Sequence, residues 1–124
     1  NPNLLLWHHR LWLIDHGAAL YVHHTWENVE SRARSPFPLI REHVLLPFAG
    51  PIPGVAPELE NRMTAETIER IVAMIPDAWL EGEPRFADVE QHRAAYRDML
   101  TWRLEAAAVF VEEAERARVA ARAV

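Results

Sequence analysis

Two amides and a carboxylate flank one short apolar segment: Asn1 and Asn3 precede it, Asp15 follows it, and Gly17 comes two positions later. Hard cations such as Mg²⁺ take oxygen ligands, and phosphoryl transfer holds Mg²⁺ beside the nucleotide phosphates with a carboxylate and often an asparagine oxygen. A carboxylate at a strand end with a glycine close behind presents charge on a rigid edge while the backbone turns away. The intervening residues are Leu-Leu-Leu-Trp (4–7), His-His-Arg (8–10) and Leu-Trp-Leu-Ile (11–14). Apolar runs separated by a polar turn predict a β-hairpin over 4–14, apolar on both faces, that folds its two ends together. Asp15 can then meet Asn1 or Asn3, and the residue types leave both asparagines open.

Other chemistries have less to build on. His8, His9, His16, His23 and His24 crowd one stretch, and imidazole binds zinc and iron. Adjacent histidines point apart, however, and no glutamate joins them at the His-Glu-x-x-His spacing. His16 is expected to pack or hydrogen-bond, and His43 and His92 read as ordinary helix residues. There is no cysteine, which excludes disulfides and thiolate chemistry and fits a reducing cytoplasm. All 13 basic residues are arginine. The missing lysine removes a Walker A loop, a Schiff-base amine and the phosphate-holding lysine of protein kinases. A net charge of −5 with no basic stripe gives nucleic-acid binding no electrostatic support. No apolar run is long enough for a transmembrane helix, and no secretory signal is visible.

The elements that must position these residues follow from periodicity. Six of the nine prolines lie in 36–57, a Pro-rich loop with room for a short helix near 38–46 and an extended surface stretch at 47–57. Thr64 caps a helix over about 64–76, where Ile68, Ile71, Val72 and Ile75 share one face and Pro76 ends it. Asp77 caps a short turn bearing Trp79 and Leu80. Asp88 opens a helix over about 88–118 whose stripe runs Val89, His92, Tyr96, Met99, Leu100, Leu104, Ala107, Val111 and Ala114, bending near Thr101. Beyond Glu115 it is expected to fray. Trp7, Trp12, Trp79 and Trp102 read as packing residues, while Trp26 is placed to line a cleft. Glu112, Glu113 and Glu115 with Arg116, Arg118 and Arg122 form a solvated face of ion pairs worth roughly a few tenths of a kcal/mol each. The fold class is α+β, mainly α.

The wording Asn-Pro-Asn-Leu-Leu at 1–5 and Leu-Trp-Leu-Ile-Asp-His-Gly-Ala-Ala-Leu at 11–20 resembles HipA-like kinases of the protein-kinase-like superfamily. Ile-Pro-Asp-Ala-Trp-Leu at 75–80, with Arg93, Tyr96, Leu100, Arg103 and Leu104, is consistent with that family's C-terminal helices. The resemblance implies that residues 1–124 are the C-terminal portion of a kinase-like domain, a partial C-lobe with the hairpin packed on helices. It implies Asp15 as the Asp-Phe-Gly-type magnesium ligand, with His16 in the phenylalanine place. It likewise implies Asn1 or Asn3 as the second metal ligand and Gly17 as the turn glycine beside bound ATP.

The catalytic aspartate of such kinases lies about five positions before the metal-binding asparagine, hence upstream of residue 1. The Gly-rich loop and its lysine are missing as well. The expectation is therefore a fragment whose partners are an upstream N-terminal lobe, ATP with Mg²⁺, and a phosphoryl acceptor that the residues do not identify. Taken alone, the chain is expected to be inactive. The alternative is a non-catalytic helical interaction module whose kinase-like hairpin is vestigial.

Overall fold

The computed structural model describes residues 3–16 and 19–122. Strands β1 (Leu4–Trp7) and β2 (Arg10–Leu13) pair antiparallel, with Leu4 opposite Leu13 and Trp7 opposite Arg10. The turn is His8-His9, both in the left-handed region at φ 49° and 58°. Two-residue hairpins favour this geometry because its twist matches that of the strands, and histidine tolerates it better than most side chains. Trp7 and Trp12 meet diagonally on one face, ring centroids 6.4 Å apart.

The expectation of a hairpin buried on helices is corrected here. Leu5, Leu6, Trp7, Leu11, Trp12 and Leu13 are all exposed, Leu6 at 71%. A two-stranded sheet with apolar residues on both faces needs a layer on each side, and the described helices supply neither.

Six α-helices follow: α1 (Val29–Ala33), α2 (Ala56–Arg62), α3 (Ala65–Ala73), α4 (Asp77–Leu80), α5 (Val89–Glu105) and α6 (Ala107–Arg122). α3 starts where Thr64 accepts a hydrogen bond from Thr67 N–H at 3.1 Å. α5 starts where Asp88 accepts from Gln91 N–H at 2.8 Å, while the Gln91 side chain accepts from Ala87 N–H at 2.6 Å. This reciprocal arrangement satisfies donors that a helix start leaves orphaned. α1, α3 and α4 pack along α5. Val22, Ala33 and Met99 form the centre of the core there, with Leu20, Val29, Tyr96, Leu100 and Trp102 around them.

The long C-terminal helix departs from the expectation at two points. It breaks at Ala106 rather than bending at Thr101, and it continues to Arg122 instead of fraying after Glu115. Packing explains the second difference. α6 lies against the 3₁₀ turns Pro38–Glu42, Leu46–Phe48 and Ile52–Gly54, and Ala117 and Arg118 are buried. The Pro-rich segment is therefore neither a short α-helix at 38–46 nor an extended loop at 47–57. It is a chain of tight turns leading into α2, because proline denies a longer helix its N–H donors yet suits the first positions of a turn or helix.

Side chains of α6 hold this segment by its backbone. Arg122 donates to Pro47 O and Ala49 O at 3.3 and 2.8 Å. Glu115 accepts from Ile52 N–H at 3.0 Å and from Arg118 at 2.5 and 2.8 Å. Those bonds, the one from Arg118 first, pull the Glu115 carboxyl from 4.5 down to about 2. Because the folded state holds the proton less tightly than the unfolded chain, Glu115 stabilises the fold fully above its ordinary range and loses that contribution as pH falls from about 4.5 toward about 2. In urea titrations at a series of pH values, Glu115→Gln is expected to lower stability at neutral pH and to flatten the acid limb over that window. An acid limb identical to that of the unaltered chain would contradict this role.

Candidate functional site

The hairpin brings residue 3 to residue 15 at its open end. Ile14 N–H donates to Asn3 O at 2.9 Å, and the Asn3 side-chain N–H donates to the backbone carbonyl of Asp15 at 2.6 Å. An amide that spends its NH₂ on a neighbouring carbonyl keeps its Oδ1 available as an acceptor or ligand. Asp15 has φ 53°, a left-handed conformation that aspartate visits more readily than most residues. Its side chain is exposed, and among the described residues it accepts no hydrogen bond and joins no ion pair.

Asn3 and Asp15 are thus brought together. Asn1 and Gly17, the other two residues expected at this edge, lie outside the described residues. His16 is exposed rather than packed, and its carbonyl accepts from Ala19 N–H at 2.9 Å.

Mg²⁺ is commonly held by one or two carboxylates, the remaining positions going to phosphate oxygens and water, and Asp15 and Asn3 carry oxygens of that type. Among the described residues no group of three His, Cys, Asp or Glu side chains stands ready to hold a metal. His8 and His9 occupy the hairpin turn. The His23 and His24 rings lie tilted with centroids 4.1 Å apart, and His23 titrates below its ordinary value through burial first and the neighbouring His24 second, with a hydrogen bond to the Leu20 carbonyl opposing.

Two expectations about aromatic and histidine residues are corrected. Trp26 does not line a cleft: its ring meets Phe86, His92 and Tyr96 edge-on at 4.8–5.2 Å. His92 is not an ordinary helix residue, since it is buried and stacked between Phe86 and Tyr96. Its Nδ1 lies 3.0 Å from Leu80 O, which only accepts, so Nδ1 carries the hydrogen and ties α5 to α4. The clue was its place on the α5 stripe between Val89 and Tyr96.

A cavity of about 570 Å³ opens beside Asn3, walled by Leu20, Tyr21, Val22, Phe37, Met99 and Leu100, with Arg32 and Arg103 among its lining residues. Neither arginine is among the site residues expected from the sequence, where Arg103 figures only as a helix residue of the family resemblance. One signal was available for Arg103: it stands at i+3 from Leu100 and i+4 from Met99, a charged residue on the apolar stripe of α5.

No protein-family model, curated protein or solved structure matches this chain. Among the described residues no helix is long and apolar enough to cross a membrane.

The Asn3 amide bond to Asp15 O is a backbone clasp and does not involve the Asp15 carboxylate. Asn3→Ala is expected to cost the hairpin end about 1 kcal/mol, read as roughly fivefold faster hydrogen exchange at Ile14 N–H, while Asp15→Asn leaves that exchange unchanged. Equal acceleration by both variants would contradict the clasp.

Proposed function

We propose that this chain is the metal-binding part of an ATP-dependent phosphotransferase of HipA-like kind, and that its Asp15 and Asn3 carry the magnesium-facing edge. One observation supports this above the others: the Asn3 amide nitrogen is engaged by the backbone carbonyl of Asp15, whose exposed carboxylate has no partner among the described residues. Mg²⁺, when bound, neutralises charge on the β- and γ-phosphoryl oxygens of ATP. Asp15 contributes an anionic oxygen at that place, and Asn3 locks the backbone from which Asp15 projects. The exposed leucines and tryptophans of β1 and β2 supply the surface on which an N-terminal lobe of the parent protein packs, closing a cleft over the nucleotide. The Gly-rich loop and its lysine come from that lobe, and the catalytic aspartate from the few residues just upstream of the hairpin. The acceptor is a hydroxyl whose identity these residues do not specify.

The same exposed hairpin also favours a second reading, a non-catalytic module that docks a partner through β1 and β2. Phosphotransfer separates the two. The isolated chain is expected to turn over no ATP. Joined to its upstream lobe, it is expected to bind ATP in a Mg²⁺-dependent way, and Asp15→Asn is expected to weaken that binding at least about tenfold. Mg²⁺-ATP binding that is indifferent to Asp15→Asn, or phosphotransfer by the isolated chain, contradicts the proposal.

A further inference from the structure

The cavity beside Asn3 has walls of mostly apolar character, built by Leu20, Val22, Phe37, Met99 and Leu100. Its volume of about 570 Å³ lies in the range of small-molecule sites. Arg32 and Arg103 also line it, and they differ from most other arginines of the chain. Arg34, Arg93, Arg97, Arg116 and Arg118 each sit within salt-bridge distance of a carboxylate, whereas among the described residues Arg32 and Arg103 do not. Arg32 donates to Thr25 Oγ1 at 2.9 Å and Tyr21 O at 3.1 Å. Arg103 donates twice through Nη1, to Ala33 O at 3.0 Å and Ser35 O at 2.7 Å, and lies 4.0 Å from the Phe110 ring centroid.

Neutral acceptors fix these two guanidinium groups without cancelling their charge. Arg103 Nε and Nη2 donate to no described protein group, and neither is a buried atom lacking a partner. They therefore keep accessible surface on a residue that lines the cavity. Burial with no compensating carboxylate also draws Arg103 below the ordinary arginine range. A cavity that is apolar along its walls and cationic at one part of its rim selects a ligand of the complementary kind. Arginine's planar fork pairs with carboxylate or phosphate oxygens, and the apolar walls remove hydrocarbon from water.

We infer that this cavity is a binding site for a small amphipathic anion, an apolar chain ending in an oxyanion that Arg32 and Arg103 receive. The inference stands apart from the magnesium reading, because it uses neither the Asp15 carboxylate nor a nucleotide.

Isothermal titration of the chain with decanoate, with monodecyl phosphate and with decanol tests it. At least one of the two anions is expected to bind with one-to-one stoichiometry, and which of them binds tighter tells whether the head is a carboxylate or a phosphate. Decanol, having the same hydrocarbon and no charge, is expected to bind at least about tenfold more weakly than the better anion. Arg32→Met is expected to weaken the anions by about tenfold and to leave decanol unchanged. Arg103→Met carries a folding risk, since Arg103 also holds two carbonyls. Arg32→Met and the comparison with decanol therefore decide the matter, with Arg62→Met as an exposed control. No binding by either anion, decanol binding as tightly as the better anion, or anion binding untouched by Arg32→Met would each overturn the inference.

Discussion

Guanidinium groups from the two long C-terminal helices take up backbone carbonyls at the ends of short elements, and the helical body hangs on these clamps. Arg103 holds Ala33 O and Ser35 O at the end of α1, and Arg93 holds Val72 O and Ile75 O at the end of α3, both at 2.9 Å. Arg122 holds the Pro-rich turns. Helices as short as α1 leave nearly all their carbonyls without an intrahelical partner, and proline-rich turns leave more. Hydrogen bonds from a charged donor contribute about 1.5–3 kcal/mol each, more than neutral ones, and one arginine fork serves two carbonyls at once. A chain whose cations are all arginine is well supplied for this task.

The clamps bear on function through position. Arg103 draws the α1 end against α5, and the Tyr21–His24 turn lies against α1, so the chain leaving the hairpin is anchored a few residues past Asp15. The hairpin beyond that anchor is held by its own ladder and by the Asn3 clasp. Its apolar side chains stay in water, an arrangement that costs free energy unless another surface covers them. Stability is thus concentrated in the α5–α6 body, while the hairpin that carries Asp15 is left uncovered among the described residues.

Much of the fold was legible in the sequence for identifiable reasons. The hairpin followed from two apolar runs around His8-His9, and α3 and α5 followed from Thr64, Asp88 and an unbroken stripe. Illegible parts are those set by tertiary partners. Nothing local told that Glu115 and Arg122 would find the backbone of residues 47–52, so the end of α6 read as frayed. Nothing local told that both faces of the hairpin would remain bare. At the candidate site, the approach of the two hairpin ends was legible from the apolar runs, but the register was not: His8-His9-Arg10 read as the turn with Asn1 and Asn3 both open, whereas Arg10 pairs with Trp7 and sets residue 3 beside residue 15. The arginine-lined cavity was not, since Arg32 and Arg103 come to line it only through the packing of α1 on α5.

A magnesium edge at this hairpin requires that its open end attract a hard divalent cation. Mn²⁺ takes the same oxygen ligands as Mg²⁺ and broadens the signals of nearby nuclei, so titrating it into the ¹⁵N-labelled chain reads the site directly. The amides of Leu4, Ile14, Asp15 and His16 should broaden first, and Asp15→Asn should abolish the effect. Broadening centred instead on His23 and His24, or unchanged in the Asp15→Asn variant, would contradict a magnesium edge at this hairpin.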